Sequence, residues 1–331
     1  MHWLQHHWYR VTPLHLILLP VSLLFRMLIA LRHLLYRSRI LPSEKLAIPT
    51  IVVGNISVGG TGKTPFTLAL AQHLSNHGWH PLIISRGYGG TAQQPQHVEA
   101  SSAAQQVGDE PLLMARRNIC PVWIGRDRVA AARAAMQAHP QCDVALCDDG
   151  LQHYRLQRDV EIAVIDGARG FGNGWLLPAG PLREPVSRLQ AMDAVVVNGG
   201  KNTPEGQFSM RLNGEIFYNL LDPTKTVSAA HFATRNNHAV AGIGHPQRYF
   251  RHLTTLGIAF TPHAFPDHHP YAAAELFFPD CDAILLTEKD AVKCAAFADA
   301  RFWVLRVDAE FDPTLIDHIL RKIAPHGCKT A

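Results

Sequence analysis

Lys63 and Thr64 follow three glycines, Gly59, Gly60 and Gly62. An ammonium, a hydroxyl and a stretch of backbone free of Cβ atoms are the groups that grip a polyphosphate. The glycines let the chain curl and turn several N–H groups inward. Lysine then reaches the terminal phosphates, and the threonine hydroxyl ligates Mg2+. Ser57, Val58, Gly59, Gly60, Thr61, Gly62, Lys63 and Thr64 are therefore the candidate nucleotide-binding residues. An apolar run at 48–53 leads in as a strand and a helical pattern at 65–76 leads out, so the helix N-terminus adds its partial positive charge at the loop. The usual spacing of a P-loop wants glycine where this chain has Ser57; the Gly59-Gly60 doublet supplies that freedom instead. A surface turn with a chance Gly-Lys-Thr is the alternative, and the flanking strand and helix argue against it.

Other residues point to the same chemistry. The apolar run 144–147 ends in Asp148-Asp149-Gly150. A buried strand ending in aspartate sets a carboxylate at the sheet edge beside a phosphate loop, where it holds Mg2+; a plain Asp-Gly turn is the alternative. Asp109 and Glu110 open a predicted helix, where carboxylates ordinarily favour the dipole and cap free N–H groups. The segment 170–184 is glycine-rich yet studded with apolar residues, unlike a solvated linker, and carries Arg183, a candidate anion clamp. Two later spots look chemical: 265–270, with Asp267 and His268, and Thr287-Glu288-Lys289-Asp290.

These residues need a scaffold, and the composition sets its class. At 331 residues, 47% hydrophobic and 18% charged, the chain is globular and long enough for two domains. A net charge of +4 with no lysine or arginine block gives no argument for nucleic acid. The six cysteines form no C-x-x-C pair and read as reduced thiols, not a disulfide framework or a zinc site. Alternating strand and helix patterns predict an α/β fold: a P-loop domain with a parallel sheet over 41–205 and a smaller α/β domain over 223–331. Asn213-Gly214 predicts a β-hairpin linker within 206–222. Residues 91–106 read as a loop, a lid or a tether; a helix opens at Leu112, and 258–260 reads as a strand.

Residues 1–40 read as a membrane anchor. Trp3, His6, His7, Trp8 and Tyr9 suit an interfacial belt, and the apolar run 14–31 follows, broken by His15, Pro20, Ser22 and Arg26. That run is marginal for a full span. Arg26, Arg32, Arg37, Arg39 and Lys45 fall on its C-terminal side, the reverse of a signal peptide's charge order. The expectation is an uncleaved helix lying in or dipping into one leaflet, dispensable for the nucleotide site itself.

Taken in order, the motifs at 54–65, Ser85-Arg86-Gly87-Tyr88-Gly89, Gly108-Asp109-Glu110-Pro111, 148–153, 177–184, 265–268 and 287–290 resemble those of the tetraacyldisaccharide 4'-kinases, the lipid A kinases of Gram-negative bacteria. That family itself carries serine at the position of Ser57; Leu151 stands where it more often has phenylalanine. The resemblance implies ATP and Mg2+ as cofactors and a lipid A disaccharide 1-phosphate as the acceptor, phosphorylated on its 4'-hydroxyl. It implies Asp109 as the general base, His268 hydrogen-bonded to it or orienting it, and a catalytic Lys63. Thr64, Glu110, Asp148 and Asp149 become the metal-site candidates, and Arg183, Gln152 and His153 the substrate candidates. The implied location is the inner membrane on its cytoplasmic face, with no nucleic acid and no protein partner. The active site is expected in a cleft between domains that closes over substrate. The rival is a regulatory or metallochaperone-type P-loop NTPase. It would carry a guanine-specificity motif such as N-K-x-D, to which Thr-Glu-Lys-Asp is only loosely similar.

Overall fold

The structure, a computed structural model, describes residues 7–9, 12–200 and 203–324. Trp3, His6 and Cys328 lie outside the described residues.

The chain opens with helix α1 (Leu14–Arg37) and then strand β1 (Thr50–Gly54), which the phosphate loop joins to α2 (Lys63–Asn76). Next come β2 (Pro81–Ser85), β3 (Gln96–Val98), α3 (Ala104–Val107), α4 (Asp109–Arg116), β4 (Val122–Ile124), α5 (Arg128–Ala138) and β5 (Val144–Asp148). The strands β6 (Val160–Asp166), β7 (Ala194–Asn198) and β8 (Phe208–Asn213) complete the first run. Among the described residues these strands build a nine-stranded sheet with one late addition, β15 (Asp308–Phe311), in the order β15-β8-β7-β6-β1-β5-β2-β4-β3. All neighbours from β8 to β4 are parallel, and only the edge strands β15 and β3 run antiparallel.

Alternation along β1 explains the layers. Ile51 and Val53 face one core with Phe66, Leu70 and Leu74 of α2, while Val52 faces the other with Leu82, Ile84 and Val129. A strand buried on both faces reads as an unbroken apolar run, which is why 48–53 and 144–147 were legible.

The second sheet holds β9 (Ile216–Asn219), β10 (Thr226–Ser228), β11 (Asn237–Ala241), β12 (Thr261–Ala264), β13 (Ala283–Thr287) and β14 (Phe302–Leu305). Its order is β10-β9-β14-β13-β11-β12. Helices α6 (Pro246–Thr255) and α7 (Glu288–Cys294) pack on it, and α8 (Pro313–Ile323) ends the described chain.

Several expectations are corrected here. Asn213-Gly214 does not turn a hairpin: β8 pairs with β7 and β15 in the first sheet, and β9 pairs with β14 and β10 in the second. The dipeptide is a crossing between sheets, and Gly214 is needed because an added Cβ would sit 2.9 Å from the Arg306 carbonyl on the return crossing. The C-terminal segment therefore does not all belong to the smaller unit. Leu315, Ile316, Ile319 and Ile323 of α8 are buried in the first sheet's core. Burial of four such side chains, about 2 kcal/mol each, outweighs a loop-closure penalty that grows only by about 0.6 kcal/mol per doubling of length. Residues 91–106 contain β3 and most of α3, and α4 begins at Asp109, ahead of Leu112. Ile258 is buried after the left-handed Gly257 that ends α6, so the strand starts later, at Thr261.

Along α1, Ser22 donates to the Leu176 carbonyl at 2.8 Å, and Phe25 and Ile29 pack against Ile56, Leu176 and Leu182. The opposite face leaves Ile17, Val21, Leu24, Met27, Leu28, Leu31 and Leu34 exposed. The stretch 17–37 is long and apolar enough to cross a membrane. Trp8 departs from the interfacial expectation: it is buried, and its indole N–H donates to the Pro178 carbonyl at 2.9 Å. Cys142, Cys147, Cys281 and Cys294 are buried and free, and Cys120 is half-buried and free.

Candidate active site

The phosphate loop runs from the end of β1 to the first turn of α2. Gly62, the residue before α2, has φ of 93°, a left-handed conformation, and an added Cβ there would lie 2.5 Å from Asn198 Nδ2. Only glycine satisfies both constraints. Asn198, at the end of β7, donates to the Thr61 carbonyl at 2.8 Å and accepts from Arg248 of α6 at 3.1 Å. Asp166, at the end of β6, pairs with Arg169 at 2.9 Å and Arg248 at 3.6 Å, and Arg169 in turn donates to the Gly60 carbonyl. None of these four was singled out from sequence. The available signal was positional, since ligands of open parallel sheets sit beyond the carboxyl ends of the strands.

Beside the loop lies a cleft of about 140 Å3, lined by Ser85, Arg86, Tyr88, Glu110, Pro111, Asp148, Asp149 and Arg183. Lys63 Nζ and Arg183 Nη1 each lie 3.4 Å from the Asp149 carboxylate, and Arg128 donates to the Asp149 carbonyl at 3.0 Å. Burial alone would raise the Asp149 carboxyl, but Lys63, Arg183 and Arg128 outweigh it and hold it below the ordinary value. Asp148 differs. It is fully buried, accepts from Thr67 Oγ1 at 3.2 Å, and is pushed up to about 7 by burial and then by the Glu110 charge. A buried carboxylate facing another across a cleft, one residue from the phosphate-binding loop's ion pair, suits a divalent cation. No group of three or more His, Cys, Asp or Glu side chains with metal-holding geometry occurs among the described residues. Mg2+ does not need one, because it keeps waters and takes one or two carboxylates plus phosphate oxygens.

Asp109 follows a close backbone approach, and its neighbour Glu110, not Asp109 itself, lines the cleft. Gly108 has φ of 91°, and an added Cβ would lie 2.5 Å from the Tyr88 carbonyl. Across the junction between the sheets, His268 Nδ1 lies 3.0 Å from Asp109 Oδ2, although the two are 159 residues apart. His268 itself is left-handed, at φ of 62°. Lys289 closes the group: its ammonium lies 3.1 Å from Asp267, 3.3 Å from Glu110 and 3.2 Å from His268 Nε2.

Gln152 and His153, the substrate candidates, face inward. Gln152 Nε2 donates to the Asn55 carbonyl and, at 2.7 Å, to buried Glu184. Burial and then Arg128 push His153 down to about 4, so it is neutral at physiological pH. Neither lines the cleft; Arg86 and Tyr88, quoted from sequence as part of the 85–89 motif but given no site role, do. Thr-Glu-Lys-Asp sits at the start of α7, where Lys289 meets Glu110, Asp267 and His268 and Glu288 meets Arg117, so its polar partners are those groups and not the phosphate loop.

A parallel α/β sheet with a glycine loop, a lysine at its helix start and an aspartate-ended neighbouring strand defines a P-loop phosphotransferase. The family model described as tetraacyldisaccharide-1-P 4'-kinase matches residues 14–324, and the chain belongs to that family. The tetraacyldisaccharide 4'-kinase of Methylobacillus flagellatus is 50% identical over 97% of this chain and 96% of its own. That of an Azoarcus species is 50% identical over 97% and 95%. The crystal structure of the "apo" form of LpxK from Aquifex aeolicus in complex with ATP aligns with a TM-score of 0.80 and 30% identity. It covers 94% of this chain and 99% of that one.

Proposed function

We propose that this chain transfers the γ-phosphoryl group of ATP to the 4'-hydroxyl of a lipid A disaccharide 1-phosphate. The observation that carries this reading is a cleft lined by Asp149, the partner of Lys63, and by Glu110, whose neighbour Asp109 holds its carboxylate 3.0 Å from His268. Lys63 and the loop amides hold the β- and γ-phosphates. Thr64, Asp148 and Glu110 would hold Mg2+, which screens the phosphate charge when bound. Asp149, already engaged by Lys63 and Arg183, holds those two cations at the edge of the cleft that it lines. Asp109 accepts the proton of the sugar hydroxyl; a carboxylate suffices because the transition state is loose and demands little activation of the nucleophile.

The substrate's acyl chains keep it in a leaflet, and the exposed apolar face of α1 suits the same leaflet. We place the body on the cytoplasmic side of the inner membrane, where ATP is available, working without a protein partner. The test is ATP-dependent phosphorylation of a tetraacyl disaccharide 1-phosphate in detergent micelles. Lys63→Ala and Thr64→Ala should abolish transfer. Asp109→Asn should lower kcat by roughly 10²–10⁴-fold while nucleotide affinity holds. Normal turnover in Asp109→Asn would remove it as the base.

A further inference from the structure

Lys289 has no part in the reading above, yet no other cation touches His268 among the described residues. It lies in the first turn of α7, whose start is fixed by Thr287 capping the Asp290 N–H. Asp290 is fully buried and accepts from the Gly242 N–H, Tyr271 and Thr287, so α7 is tied to the segment that carries His268. The lysine side chain is mostly buried. Its ammonium faces two carboxylates, those of Glu110 and Asp267.

An ammonium has three N–H donors and no acceptor. Lys289 meets three acceptors, Asp267 Oδ1 at 3.1 Å, Glu110 Oε1 at 3.3 Å and His268 Nε2 at 3.2 Å. With the ammonium donating, Nε2 takes the acceptor role, which leaves the donor role to Nδ1, 3.0 Å from Asp109 Oδ2. The other groups facing the ring are Asp267, with Oδ1 3.9 Å from Nε2, and the Tyr88 ring at 5.5 Å.

We propose that Lys289 is a positioning residue for phosphoryl transfer: it locks His268 in the Nδ1–H tautomer, so that His268 aims Asp109 and Asp109 alone takes the sugar proton. The proposal rests on the reading of Asp109 as the base. In the step, the hydroxyl proton passes to an Asp109 oxygen and the sugar oxygen bonds to the γ-phosphorus. The bond from that phosphorus to the β,γ-bridging oxygen breaks, and ADP leaves with the electron pair. His268 takes no proton, because Nδ1 already carries one and Nε2 is covered by the ammonium.

The test uses the full-length enzyme in detergent, with Lys289→Met, which keeps the stem and removes the donors, and Lys289→Arg, which restores a cationic donor. Imidazole ¹⁵N spectra, assigned against His268→Gln, should show a protonated Nδ1 and a bare Nε2 in the unaltered enzyme. In Lys289→Met that signature should be lost, with kcat falling about tenfold or more, as expected for loss of part of a general-base contribution, and KM for ATP unchanged. Lys289→Arg should restore the signature and part of kcat. A protonated Nε2 in the unaltered enzyme would overturn the proposal, and this reading needs no variant to fold. An unchanged spectrum and kcat in Lys289→Met would do so as well. Failure of the base assignment looks different: Asp109→Asn would then turn over normally while the tautomer in the unaltered enzyme stayed as described.

Discussion

Adjacent carboxylates in this site answer to different neighbours. Asp149 faces Lys63 and Arg183, which hold its carboxyl below the ordinary value, whereas Asp148 is buried opposite Glu110 and is pushed up to about 7. A metal ligand must be deprotonated, so if Asp148 holds Mg2+ as proposed, a proton competes with the ion below that value. Affinity for Mg2+–nucleotide should therefore climb as pH rises through about 7 and level off above it, and binding near neutrality should release protons. Calorimetry in buffers of different ionisation enthalpy reads the release directly; affinity independent of pH between about 6 and 8 would take Asp148 out of the metal site. Residue chemistry was legible from sequence where it is local. Lys63 and Thr64 adjoin their glycines, and Asp148 ends its own strand. It was not legible where partners come from afar: Asn198 reaches Thr61 across 137 residues, and Lys289 means little until Asp267 and Glu110 surround it.

Helices α4 and α7 meet edge to edge, and their contact decides whether Asp109 and His268 face each other. The junction is pinned by Arg117, just past α4, which donates to Glu288 at 2.8 Å, to Asp308 at 2.8 Å and to the Val307 carbonyl at 2.7 Å. Arg117 and Glu288 are each only about a tenth exposed, at 11% and 10%. Removing one member of a buried pair strands the other, a loss of about 3–5 kcal/mol, far above the few tenths of a surface pair. Arg117→Met should lower the urea midpoint accordingly, and adding Glu288→Met should recover much of the loss. A double-mutant cycle with additive effects would show that the pair does not hold the junction. Elements with two buried faces or a clear cap, such as β1, β5 and α5 behind Asp127, could be read in advance. The Asn213-Gly214 turn could not, because its local signal is that of a hairpin and only the sheets' competing partners send the two strands apart.

The two sheets are joined by neighbouring crossings, at Gly214 and at 306–307, so β15 and α8 return to the first sheet after the second is complete. Helix α1 packs on the first unit. Its inner face covers Ile56 and Leu182 beside the phosphate loop, and His33 lies 3.5 Å from Glu184, the carboxylate that holds Gln152 against Asn55. The sequence suggested that residues 1–35 could be removed without harm to the nucleotide site; the packing argues otherwise, because removal would expose Ile56 and strip a partner from Glu184. The two roles of α1 can be separated on its outer face. Leu24 and Leu28 are more than half exposed, at 53% and 56%, and touch none of the core clusters. Leu24→Glu with Leu28→Glu should leave the melting temperature and nucleotide affinity unchanged. At about 1.5–3 kcal/mol for each leucine withdrawn from lipid, it should weaken binding to anionic vesicles by roughly 10²-fold or more. Truncation before Ser38 should instead lower both stability and nucleotide affinity. If the double variant sedimented with vesicles as fully as the unaltered enzyme, the outer face of α1 would not be what meets the bilayer.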